Sequence, residues 1–159
     1  MRITHALLLL VLLTGVLSQP EHRTMDLNAD WTLNVIGGSS QASSITGKTY
    51  QTSVPTVVHL DLLAANDIPD PFVGENYPKV KWVSDLNVKY ATKFTVSAEV
   101  MGYSQQDLVF EGIDTYSEVK LNGVKILTTE NAFRKYEVGV KKFLKEGENV
   151  LEVYINSTN

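Results

Sequence analysis

The pair Asn122-Gly123, set between Val119-Lys-Leu121 and Val124-Lys-Ile-Leu127, constrains the fold more than any other feature of this chain. Asn and Gly both tolerate the positive φ of a type I′ turn, so two short apolar-alternating runs joined by them fold back as an antiparallel hairpin. The same period of two recurs elsewhere. Phe94, Val96, Ala98 and Val100 alternate with Thr95, Ser97 and Glu99, and Leu151, Val153 and Ile155 alternate with Glu152, Tyr154 and Asn156. Trp31-Thr-Leu-Asn-Val35 reads as a first strand, and Gly147 leaves room for a tight turn before the last one. Residues 37–47 are rich in Gly, Ser and Thr and read as a loop. Residues 57–65 read as a helix, with Val58, Leu62 and Ala65 on one face and Pro55 just ahead. Residues 66–81 carry Pro69, Pro71, Pro78 and Gly74 and read as a loop without regular structure. The expected fold is all-β, a jelly-roll-like antiparallel β-sandwich with one short helix.

The first residues stand apart. Arg2 and His5 precede the apolar run Ala6–Leu13, and small residues follow up to Ser18, with Val16 two before it. This is the pattern of a secretory signal peptide cleaved between Ser18 and Gln19, because the run is shorter than the roughly 20 apolar residues that cross a bilayer. Residues 1–18 are therefore read as the signal and 19–159 as one sandwich domain, with no membrane attachment after cleavage. The expected location is the secretory pathway, lysosomal or extracellular. A secreted domain without a single cysteine is held by packing alone, and thiol nucleophiles, thiolate metal sites and redox switching are excluded. The net charge of −4 and the absence of a basic block argue against nucleic acid as a partner. Lys135, Lys141, Lys142 and Lys145 are interrupted by Glu137, Glu146 and Glu148 and read as a solvated face.

Several motifs converge on one family. Leu27-Asn-Ala-Asp-Trp31-Thr-Leu33 opens the chain's core region; Val54-Pro55, Val58-His59 and Leu60-Asp-Leu62 follow, then Ile68-Pro-Asp-Pro-Phe72, Asn76 and Trp82-Val83. Phe110-Glu-Gly-Ile-Asp-Thr115, Leu121-Asn-Gly123, Asn131-Ala-Phe133 and Gly147-Glu-Asn-Val-Leu151 complete the set. Together they resemble the N-terminal, galactose-binding-like sandwich of β-mannosidases in family 2 of the glycoside hydrolases. The resemblance covers Leu27 to Ile155. The later motifs occur across family 2, in β-galactosidases and β-glucuronidases as well, whereas the loop at 66–83 resembles β-mannosidases in particular. One departure is Val88, where the family commonly has a tryptophan two residues before the tyrosine matching Tyr90; the contact of that ring with neighbouring domains is lost here. Family members continue past this domain into a Trp-Asp-Trp-Gly-Pro segment, a further sandwich and a catalytic (β/α)8 barrel, none of which lies within 1–159. The resemblance thus implies a non-catalytic module of a retaining enzyme that removes terminal β-mannose from oligosaccharides. Its implied partners are the remaining domains of a full-length β-mannosidase, and mannose-containing glycans.

Read for chemistry, the residues agree with that implication. Retaining glycosidases need two carboxyl groups about 5–5.5 Å apart with opposed pKa values. Asp61, Asp67 and Asp70 sit at a helix and a proline loop, where turn bracing through backbone N–H groups explains them better, so no catalytic residue is assigned. Asp114 reads as a turn anchor, Asn131 as a turn residue and Phe133 as a core aromatic. Trp31, Tyr90 and Phe94 read as core-filling rings. Asp70, Phe72, Asn76 and Trp82 are the candidates for a domain interface or a sugar contact. His22 and His59 are far apart, no Asp-x-Asp-x-Asp loop occurs, and no cofactor or metal is expected. Asn156-Ser-Thr158 is a glycosylation sequon on the outward parity of the last strand. Two competing functions are a stand-alone secreted carbohydrate-binding protein and an interaction protein that docks on a full-length relative.

Overall fold

The computed structural model describes residues 23–157. The proposed cleavage point at Ser18 and Gln19 lies outside them, as does Thr158 of the sequon. Within them the strands are β1 (Trp31–Gly37), β2 (Thr49–Thr52), β3 (Asn87–Val96), β4 (Asp107–Phe110), β5 (Tyr116–Leu121), β6 (Val124–Thr129), β7 (Tyr136–Gly139) and β8 (Gly147–Asn156). A six-stranded sheet runs in the order β2-β1-β3-β8-β5-β6, and β4 pairs with β7 in a smaller second sheet. Every pairing is antiparallel. The all-β sandwich reading holds. The expected helix is α1 (Val58–Ala64), and two single-turn helices, α2 (Tyr77–Val80) and α3 (Ala98–Gly102), accompany it.

The alternation in sequence becomes burial in space. Val88, Tyr90 and Thr92 of β3, Asn149, Leu151 and Val153 of β8, and Ser117, Val119 and Leu121 of β5 all face inward and are buried. Over the β1–β3 side this layer is covered by Ala42, Ile45, Leu62, Ile68, Val80, Val83 and Leu86, drawn from helical turns and loops. Leu108 and Phe110 of β4 and Ile113 pack against the same core. The outward parity carries paired charges instead: Lys89 with Glu152, Lys93 with Glu148, and Lys120 and Lys125 with Glu118. Such pairs, cross-strand except for Lys120 with Glu118 along β5, add little energy in water but keep this face polar.

Asn122 and Gly123 close the β5–β6 hairpin with φ of 51° and 81°. Three sequence expectations are corrected. The strand read through Val100 stops at Val96, because the Ser97 hydroxyl accepts from the Val100 amide and caps α3 instead. Ala65 is exposed rather than on the buried face of α1, where Leu62 alone is fully buried. The stretch 66–81 is not without structure: its end forms α2, which leads into a 3₁₀ turn over Lys81–Asp85.

Two of the motifs meet at a single buried amide. Asn149 is fully buried; its Nδ2 donates to the carbonyls of Lys145 and Gly147, and its Oδ1 accepts from the Lys145 amide and from Asn122 Nδ2. Asn122 in turn donates to the Phe143 carbonyl and accepts from the Val150 amide. The hairpin turn, the loop before β8 and β8 itself are thus tied through two side chains. Asn149→Ala strands a buried amide and two carbonyls, and at roughly 1–3 kcal/mol per unsatisfied buried group it is expected to cost about 3 kcal/mol. Urea unfolding checks this, and a loss below about 0.5 kcal/mol, the size of an ordinary surface change, contradicts it.

Candidate functional site

The loop that carries the sequence-predicted residues is built around Asp70. Its Oδ1 accepts from the Phe72 amide at 2.9 Å, an Asx turn, and its carbonyl accepts from Asn76 Nδ2 at 3.0 Å and from the Val73 amide at 3.2 Å. Asn76 Oδ1 then takes Lys79 Nζ at 3.1 Å. The result is a short closed turn that holds Phe72 almost wholly in solvent, at 95% exposure, with Val73 and Tyr77 also exposed. Asp70, Phe72 and Asn76 are therefore brought together. Trp82 is not part of the tip: it belongs to the 3₁₀ turn and packs, half-buried, against the core.

Beneath the loop, α1 and the sheet are joined by carboxylate and hydroxyl groups. Asp61 accepts from Thr52 at 2.6 Å, Thr56 at 3.1 Å and the Tyr90 phenol at 3.1 Å. Asp67 accepts from Lys48 Nζ at 2.7 Å and the Tyr50 phenol at 2.8 Å. Asp67 thus braces the loop through side chains rather than through the backbone amides expected of it. Burial pushes the Tyr90 phenol well above its ordinary range, reinforced by the charge of Asp61. Burial does the same to Tyr50, with its hydrogen bond to Asp67 adding to the shift. The hydrogen bond from Lys48, and then that from Tyr50, holds Asp67 below its ordinary value. Asp61 thus ties α1 to β2 and β3, and Asp67 ties the start of the loop to β2.

The far end of the loop abuts β1. A Cβ at Gly38 would lie 2.0 Å from the Asp85 carbonyl oxygen, so only glycine lets the two segments approach. A recess of about 700 Å³ opens beside this contact, lined by Ser39, Ser40, Asp85, Asn87, Asn156 and Ser157. A second groove, of about 490 Å³, is lined by Thr128, Thr129, Glu130, Asn131, Arg134 and Tyr136. Phe133, beside that groove, is 100% exposed, which corrects its assignment to the core. The signal that marks it lay two residues earlier: Asn131 Oδ1 accepts from the Phe133 amide, the same Asx geometry that presents Phe72. Asn131 is a turn residue, as read. Asp114 holds the Thr115 hydroxyl. Asn156 is exposed and pairs across the outward parity with Tyr116. Among the described residues no group of His, Asp or Glu is placed to hold a metal ion, and no helix is long and apolar enough to cross a membrane.

This topology and these motifs place the chain in one family of domains. The chain belongs to the glycosyl hydrolase 2 galactose-binding domain-like family, whose model matches residues 31–159. Over 101 residues it is 42% identical to beta-mannosidase B of Aspergillus terreus, covering 63% of this chain and 12% of that protein. Beta-mannosidase B of Thermothelomyces thermophilus is 39% identical over 103 residues, again across 12% of its length. The crystal structure of the beta-D-mannosidase from Dictyoglomus thermophilum matches with a TM-score of 0.75 at 42% identity, over 84% of this chain and 16% of that one. An exo-chitosanase from Amycolatopsis orientalis shares the fold, with a TM-score of 0.68 at 20% identity. The homology is to the N-terminal domain of family 2 β-mannosidases, of which this chain spans a small part.

The ionisations carry a testable sign. Folded Tyr50 and Tyr90 hold their protons above the ordinary phenol value of 10.0, so they add stability below that pH which is lost as the pH rises past it. Asp67 lies below its ordinary 3.8, so it adds stability above that pH which is lost as the pH falls through its lowered folded value. Asp67→Asn is expected to flatten the acid limb of the stability–pH curve and to leave the alkaline limb to Tyr90 and, through its burial, to Tyr50. An acid limb identical to that of the unmodified chain contradicts the role given to Asp67.

Proposed function

We propose that this chain is the non-catalytic N-terminal module of a β-mannosidase, an enzyme that hydrolyses terminal β-mannosides of oligosaccharides with retention. The observation that carries this reading is the 42% identity to β-mannosidases of which the chain covers only 12% and 16%. The module's part is mechanical. Its sheet supports the braced turn at Asp70, Phe72 and Asn76, whose exposed ring packs against the remaining domains and helps wall their substrate pocket. Phe72 suits an interface because a large ring fully in water gains most from being covered. Trp82, half-buried on the 3₁₀ turn over Lys81–Asp85, is the second candidate for a contact with a neighbouring domain or with sugar.

Passage through the secretory pathway to a lysosomal or extracellular location follows from the N-terminal pattern of residues 1–18, and the sequon at Asn156 is read as occupied there. Digestion of the native glycoprotein with an N-glycanase should then raise its gel mobility; an unchanged band contradicts occupancy.

The chain alone should not hydrolyse an aryl β-mannoside. Turnover that survives purification and is abolished by Asp61→Asn or Asp67→Asn would overturn the non-catalytic reading. The competing function, a stand-alone saccharide-binding protein, is separated by calorimetric titration of the chain with mannosides: saturable binding favours it, and none favours the module.

A further inference from the structure

The register of the six-stranded sheet gathers several connections at one end. Thr129 of β6 lies opposite Ser117 of β5, Ser117 opposite Ile155 of β8, and Ile155 opposite Val88 of β3, which is followed across β1 by Val35. At this end, therefore, lie the start of β3 with the 3₁₀ turn before it, the end of β8, and the loops 111–115 and 130–135. Those two loops are fastened to each other. A Cβ at Gly112 would lie 2.9 Å from the Ala132 carbonyl oxygen, Lys135 pairs with Glu111 at 3.0 Å, and the Thr129 hydroxyl donates to the Thr115 carbonyl at 2.8 Å. Tyr136 closes the second loop by donating its phenol to the Asn131 carbonyl at 3.1 Å.

This bracing ends in a ring that touches water alone. Phe133 is 100% exposed, while Arg134 stacks on Tyr136 with its guanidinium 5.5 Å from the ring centroid. A disordered tip would expose a phenylalanine by default. Here an Asx turn, a phenol hydrogen bond and an ion pair hold it out, next to a groove of about 490 Å³ whose rim carries Arg134 and Glu130. A rigid aromatic beside an arginine is the composition of an interface anchor. On the outward sheet face, by contrast, Tyr154 lies under Lys120 among Lys–Glu pairs and Tyr116 is only half exposed, so no ring there stands as free as Phe133.

We propose that the 130–136 loop is a second docking element, with Phe133 as its anchor, covered by the polypeptide that makes up the rest of a full-length family member. This rests on the reading of the chain as a β-mannosidase module and deepens it by naming a surface apart from the Asp70 turn. The occupant is the larger share of such enzymes, since the matched region is 12% of the fungal relatives and 16% of the Dictyoglomus enzyme. The chemistry asked of it is an apolar pocket for the Phe133 ring beside a carboxylate or carbonyl for Arg134.

Hydroxyl-radical footprinting tests it, comparing the 159-residue chain with the native product isolated from its source. Phe133 should be labelled several-fold more slowly in the larger product, whereas Tyr154 on the outward face should be labelled alike in both. Equal labelling of Phe133 in a larger product overturns this proposal and leaves the module reading intact. A native product no larger than the chain overturns both. Phe133→Ser supplies a second arm: it should leave the melting temperature of the isolated chain unchanged and lower that of the larger product. No change in either overturns the anchor role.

Discussion

The buried side chain of Asn149 is the contact on which the rest of the sandwich depends. Four hydrogen bonds saturate its amide, and one of them comes from Asn122 in the hairpin turn. A buried amide is costly unless every lone pair and proton is used, so this position accepts one register of β8 against the β5–β6 hairpin. Through β8 the constraint passes to β3 over the longest pairing in the sheet, from Val88–Ile155 to Val96–Gly147. Once β3 and β8 are aligned, the loops at both ends of the sheet are in place without a disulfide to hold them.

Strand identity was legible where a local rule dominated. Asn122-Gly123 announced its hairpin, and the period of two in β8 announced its buried face. The rule failed where a side chain competed with the backbone. Ser97 sits in phase with the β3 alternation, yet its hydroxyl captures the Val100 amide and turns the chain into α3. Asn131 does the same for the following loop, and the consequence reaches further. By pattern Phe133 is an apolar residue between two strands and reads as core; the Asx turn at Asn131 instead points it to solvent.

Of the candidate site, Asp70, Phe72 and Asn76 were singled out by the resemblance of their loop to that of β-mannosidases, and the hydrogen bonds that close the turn around Asp70 were not visible in the sequence. Trp82 stands apart from that tip, half-buried on the 3₁₀ turn over Lys81–Asp85. The Asp61 and Asp67 networks were invisible in sequence, since their partners Thr52, Tyr50 and Tyr90 come from strands distant along the chain. What these residues share is support. The Asp61 and Asp67 carboxylates accept from phenols, hydroxyls and a lysine, and Phe72 and Phe133, the two rings most open to water, sit on turns closed by Asx hydrogen bonds.

The most direct measurement is the size of the endogenous product, on a denaturing blot with an antibody raised to residues 19–159. A band far larger than 17.7 kDa is the predicted result and means that this sandwich works as one module of a longer β-mannosidase. A small band, shifted only by its glycan, would contradict the account and leave a short protein that must use its exposed rings for a partner of its own.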